Sequence, residues 1–113
     1  MKIKMVLPLK VESLNKVGPY RHWRIYYDYK KKWIDAIGFT LQHIEEPEQV
    51  RRKIRITSHR KRLLDSDNLI GGCKPIVDAI KKRGYIVDDS PQWVNIRYEQ
   101  KMSDTESTTI LIS

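Results

Sequence analysis

Cysteine is the scarcest resource of this chain. One stands among 113 residues, so an internal disulfide framework is excluded and the fold has to close on an apolar core. Cys73 itself reads as a small buried apolar residue. A nucleophilic thiol needs a base or a cationic niche, and although Lys74 adjoins it, no histidine is near in sequence. Long apolar runs are missing as well. Nothing approaches the ~20 residues a membrane-spanning helix needs. The opening MKIKMVLPLK has too short an apolar stretch and no small-residue cleavage site for a secretion signal, so the expected location is the cytoplasm. Internal repeats and low-complexity tracts are absent. The three histidines, His22, His43 and His59, are scattered without metal-ligand spacing and read as structural or surface residues. One stretch lacks acid altogether: Arg51 to Arg62 reads RRKIRITSHRKR.

What is abundant is positive charge. Lysine and arginine number 22 against 14 acids, a net charge of +8. Charge of that size on a small chain speaks of partners and not of fold, and nucleic acid is the usual partner because neutralised phosphates release counterions.

The length fits a single domain spanning residues 1–113. Lys2 to Leu7 reads as a strand and Val11 to Pro19 as a loop. From Tyr20 to Ile44, residues Trp23, Tyr26, Tyr29, Trp33, Ile37, Leu41 and Ile44 fall in one stripe about 120° wide, the signature of a helix that buries its aromatics. Val50 to Ser58 alternates as a half-buried strand. Val50, Ile54 and Ile56 lie on one face, with Arg51, Lys53 and Arg55 on the other, and Arg60, Lys61 and Arg62 continue the basic row. A second helix ends at Gly84. It starts either at Pro75 or, the preferred reading, at Asn68 with Asp67 as its cap and a kink at Pro75. Tyr85 to Val87, Trp93 to Met102 and Thr108 to Ile112 read as further strands. The expected architecture is α+β (mixed α/β), a small mixed sheet with two main helices packed on it.

Four carboxylates then interrupt the basic chain. Asp65 and Asp67 precede the second helix, and Asp88 and Asp89 follow it. Each pair alone could be a helix cap or a surface turn. Together they flank one helix, and a strand–helix–strand unit can carry both to one sheet edge. Three or four clustered oxygens would suit a hard cation such as Mg²⁺ or Mn²⁺ beside a basic strand, an arrangement fit to cleave phosphodiesters. Lys74 could stabilise charge building on the phosphoryl oxygens.

The ordered set Asp65-Ser66-Asp67-Asn68, Lys74, Asp78-Ala79, Gly84 and Asp88-Asp89 resembles the RusA-like Holliday-junction resolvases, most closely over Arg60 to Val94. The resemblance implies a homodimer that binds four-way DNA junctions and nicks two strands symmetrically with Mg²⁺ or Mn²⁺. It assigns Asp65, Asp67 and Asp89 as metal-binding and catalytic acids and Lys74 as the catalytic lysine. Asn68 and Asp88 take supporting roles, and Arg51, Lys53, Arg55, Arg60, Lys61 and Arg62 are the expected DNA contacts. About three residues more separate Asn68 from Lys74 than in the shortest form of the family's pattern. On a helix they turn ~300° and rise ~4.5 Å, close to one full turn. Strands Trp93 to Met102 and Thr108 to Ile112 are the expected dimer edge. A DNA-binding module that does not cut, and a nuclease for RNA or flaps, remain as alternative readings, because backbone contacts are blind to base sequence.

Overall fold

The computed structural model describes residues 1–18 and 22–113. The elements are β1 (Ile3–Leu7), α1 (Leu14–Val17), α2 (Trp23–Thr40), β2 (Arg52–Arg60), α3 (Ser66–Lys82), β3 (Val94–Met102) and β4 (Ser107–Ile112). The strands form one mixed sheet in the order β1-β4-β2-β3. β4 runs antiparallel to both β1 and β2, while β2 and β3 are parallel and joined through α3. The expected α+β class and small mixed sheet are thus present. No helix among the described residues is long and apolar enough to cross a membrane.

Alternation decides which sheet face is covered. Met5, Leu7, Ile54, Ile56, Val94, Ile110 and Ile112 point inward and are buried. They share one core with Tyr29, Trp33, Ile37 and Leu41 from α2 and its C-cap, and with Leu69, Cys73, Ile76, Val77 and Ile80 from α3. Burial pushes the Cys73 thiol up to about 12, so it is neutral and inert, a packing residue as read from the sequence.

The helices differ from the sequence reading at their ends. α2 begins at Trp23, capped by the His22 ring, and stops when Leu41 turns extended, short of Ile44. Tyr20 and Arg21, expected within it, lie outside the described residues. The loop expected from Val11 contains α1, whose single turn is too short for a periodic signal. Ser13 caps it by accepting from the Asn15 N–H. Tyr85 to Val87 forms no strand. Tyr85 and Ile86 are buried anchors after α3, and the Tyr85 hydroxyl donates to the Gln42 carbonyl at 2.8 Å. Gly84 supplies the left-handed residue at the helix end, with φ 87°. α3 runs through Pro75 without ending.

One buried hydroxyl joins three segments. Tyr29 donates to the Gly72 carbonyl at 2.6 Å and accepts from the Glu12 N–H at 3.1 Å, and the Trp33 indole stands beside it. The contact needs glycine at position 72, since a Cβ there would collide with the Glu12 carbonyl. The segment before α1 is thereby pressed against the middle of α3.

Candidate active site

α3 positions most of the residues singled out by the motif. Asp65 is its N-cap by backbone geometry (φ −61°, ψ 150°), but its side chain makes no capping hydrogen bond. This corrects the expectation that Asp67 caps a helix starting at Asn68, because Asp67 already lies inside the first turn. Among the described residues, no lysine or arginine pairs with either carboxylate. Both are exposed. They stand at the positive end of α3, which favours their negative charge. Asn68 faces another way: its Oδ1 accepts from the Asn15 N–H at 3.3 Å and ties α1 to the first turn of α3.

Asp67 and Lys74 are seven residues apart, nearly two turns and about 10.5 Å of rise, so they share a helix face. Lys74 Nζ stands 3.3 Å from Asp78 Oδ1 and 3.8 Å from Asp89 Oδ2. The segment after α3 therefore folds back along the helix and delivers Asp89 to its middle. Lys81 Nζ holds Asp88 at 2.7 Å, which lowers the Asp88 carboxyl to about 2 and keeps it ionised. Asp88 is a latch for the turn that presents Asp89.

The three acids assigned to a metal do not converge. Among the described residues, no three of histidine, cysteine, aspartate and glutamate form a group that could hold an ion. Asp89 is engaged by Lys74, while Asp65 and Asp67 remain as a pair of unpaired hard oxygen donors. That pair fits Mg²⁺, which commonly binds one or two carboxylates and fills its other positions with water and substrate phosphate. It does not form a closed cage.

The basic row divides in the structure. Lys53 and Arg55 lie on the open face of the sheet. Arg51 precedes β2 and donates to the Pro91 carbonyl at 3.0 Å. Lys61 and Arg62 are exposed in the turn between β2 and Asp65. Arg60 leaves the row: it is only 8% exposed, its guanidinium donates to the Arg62 carbonyl at 2.6 Å and it stands 3.9 Å from Glu12. The strand's inward register places it there. The same register buries Arg52, which pairs with Glu48 at 2.6 Å. Trp23 also departs from expectation. It is 63% exposed, on the opening turn of the helix, stacked beside His22 with Arg24 over its ring.

Gln100 was not singled out from the sequence. It lies on the inward face of β3, in line with Ile96 and Tyr98, where an apolar residue is expected. Its amide clamps the Leu64 backbone, accepting from the N–H at 2.8 Å and donating to the carbonyl at 2.9 Å. The clamp fixes the residue just before Asp65. A polar residue in an apolar alternation was the available signal. Gln100→Ala removes both bonds, and with about 0.5–1.5 kcal/mol for each, thermal denaturation should show a loss of about 1–3 kcal/mol. Any activity of the Asp65–Asp67 turn should fall about tenfold or more, as when a group supporting a metal ligand is removed.

Searches against models of known protein families and against curated proteins return no match for this chain.

Proposed function

We propose that the protein is a metal-dependent, structure-selective DNA endonuclease of the RusA-like kind, resolving four-way junctions by paired symmetric nicks. One observation carries the reading. Lys74 reaches Asp89 at 3.8 Å, so residues 15 positions apart in the motif meet on the α3 face that also bears Asp67. Caps and turns chosen independently have no reason to meet there.

In this reading Asp65 and Asp67 hold the cation at the start of α3, and Gln100 and Asn68 steady the turn that carries them. Bound Mg²⁺ supplies Lewis-acid polarisation of the scissile phosphate and a more acidic water. Lys74 neutralises charge on the phosphoryl oxygens from a side chain that is 60% exposed. In the resting protein Asp78 and Asp89 hold its ammonium; an arriving phosphate competes with them for it. Lys61 and Arg62 flank the approach to the turn.

Paired cuts call for two such sites related by two-fold symmetry, and an isologous dimer matches the symmetry of a four-way junction. Of the two strands expected at the dimer edge, only β3 borders the sheet; β4 is enclosed between β1 and β2. Edge pairing is therefore open to β3 and to β1, the strand at the other border.

The open basic sheet face favours one rival reading, a module that binds branched or duplex DNA without cutting. Incubation of a mobile-core junction and an equal-length linear duplex with Mg²⁺, and again with EDTA, separates the two. The endonuclease gives paired nicks in the junction alone, abolished by EDTA while gel-shift binding persists. Tight binding with no nicks in Mg²⁺ or Mn²⁺ makes the chain a binding module.

A further inference from the structure

The sheet face turned away from the helices carries charge that the α3 site does not use. Residues in register across the four strands are Lys4, Leu111, Arg55 and Arg97. The adjacent row on one side adds Lys53 beside Asn95, and two rows away on the other side His59 lies beside Lys101. Glu99 is the acid on this face, reached by Arg55 at 3.7 Å. All described helices place their buried side chains in the core on the opposite side, and Lys53, Arg55, Asn95 and Arg97 are exposed. A depression of about 240 Å³ is lined by Lys53, Arg55, Asn95, Arg97, Leu111 and Ser113, with Ile54 at its floor.

Arg55 and Arg97 are direct register partners on the neighbouring parallel strands β2 and β3, whose backbones lie about 4.8 Å apart. Both are exposed, and Glu99 offsets the charge of one of them. A polyanion lying across both strands would meet two cations side by side.

We infer that the outer sheet face is a second nucleic-acid surface, which holds a duplex through its phosphates while the α3 site faces another segment. Charge complementarity selects a polyanion, and the face carries neither of the features that suit other anionic partners. Its apolar residues are limited to Val6 and Leu111, too few for insertion into a lipid surface. None of the strand residues on this face is aromatic, since Tyr98 points inward and packs against the core, and the half-buried Trp93 stands just before β3 at its border. Lysine and arginine without a stacking platform grip backbone, so recognition is independent of sequence and strongly salt-dependent. The surface lies across the sheet from α3, so a straight duplex on one does not reach the other. The inference extends beyond cleavage and does not depend on it.

The test is binding of a 20-base-pair duplex in EDTA, followed by fluorescence anisotropy over a range of NaCl concentrations, for the wild type and for Arg55→Gln with Arg97→Gln. Two lost phosphate contacts lower the slope of log K against log salt by about 1.8. Lys30→Gln with Lys31→Gln removes the same charge from α2 and should leave the slope nearly unchanged. An unchanged slope in the sheet variant overturns the inference, as does an equal fall in the α2 control. Loss of binding to phosphatidylserine vesicles with the duplex slope intact overturns it in favour of a lipid surface. Lys53→Gln with Lys101→Gln repeats the test should the arginine pair prove necessary for folding. EDTA keeps the result separate from the endonuclease reading, and the same slope change is expected in Asp67→Asn protein.

Discussion

Asp67→Asn should leave a protein that folds and binds a four-way junction, but cuts it at least about a hundredfold more slowly. Loss of a group that merely supports a metal ligand costs 10–100-fold, and a ligand itself costs no less. The exchange keeps the side chain's size and position in the first turn of α3. It removes a charge that repels phosphate and that crowds Asp65, so junction affinity should hold or rise. The helix loses a favourable acid near its N-terminus, worth about 0.3–1 kcal/mol at an exposed site. Single-turnover cleavage with Mg²⁺, set beside gel-shift affinity on the same protein, checks both halves. Normal cutting by the variant would remove Asp67 from the chemistry and leave the acids as features of a helix end.

The largest loss of stability should follow Trp33→Ala. Trp33 is fully buried, in a core shared by both long helices and the sheet. Truncation removes its transfer free energy and leaves a cavity, together about 3–5 kcal/mol. It also removes the indole from the Tyr29 hydroxyl, the group that joins Glu12 to Gly72. Against a total of about 5–15 kcal/mol for a domain, that is a large share, and a fall in Tm of about 10–20 °C is expected by calorimetry. Because the Tyr29 network holds the segment before α1 on α3, amide exchange should rise there first. A variant that melts within a degree or two of wild type would show that the cavity collapses and the network does not depend on the indole.

The core was largely legible in advance. Tyr29, Trp33 and Ile37 recur at helical spacing and are buried, and Ile54 and Ile56 alternate and are buried. Both are local periodicities, set by backbone geometry wherever one face is covered. The element ends were less legible. Trp23 fits the same stripe as Trp33, yet it lies on the opening turn and stays 63% exposed. Arg60, read as part of the exposed basic row, shares the inward register of Ile54 and Ile56, where Glu12 and the Arg62 carbonyl meet it.

For the candidate site, the sequence by itself determined the donor chemistry: four aspartates and a lysine around one helix, next to a basic strand. It also placed Asp67 and Lys74 on one face, because seven residues make nearly two turns of helix. Tertiary structure alone decided which groups meet. Lys74 joins Asp89 and Lys81 joins Asp88 because the chain after α3 doubles back along it, and Gln100 clamps Leu64 from 36 residues away. It also decided that one sheet face stays open, leaving Arg55 and Arg97 side by side. Periodicity reports which side of an element is apolar. Pairings between distant segments depend on strand order and register, which no local spacing encodes.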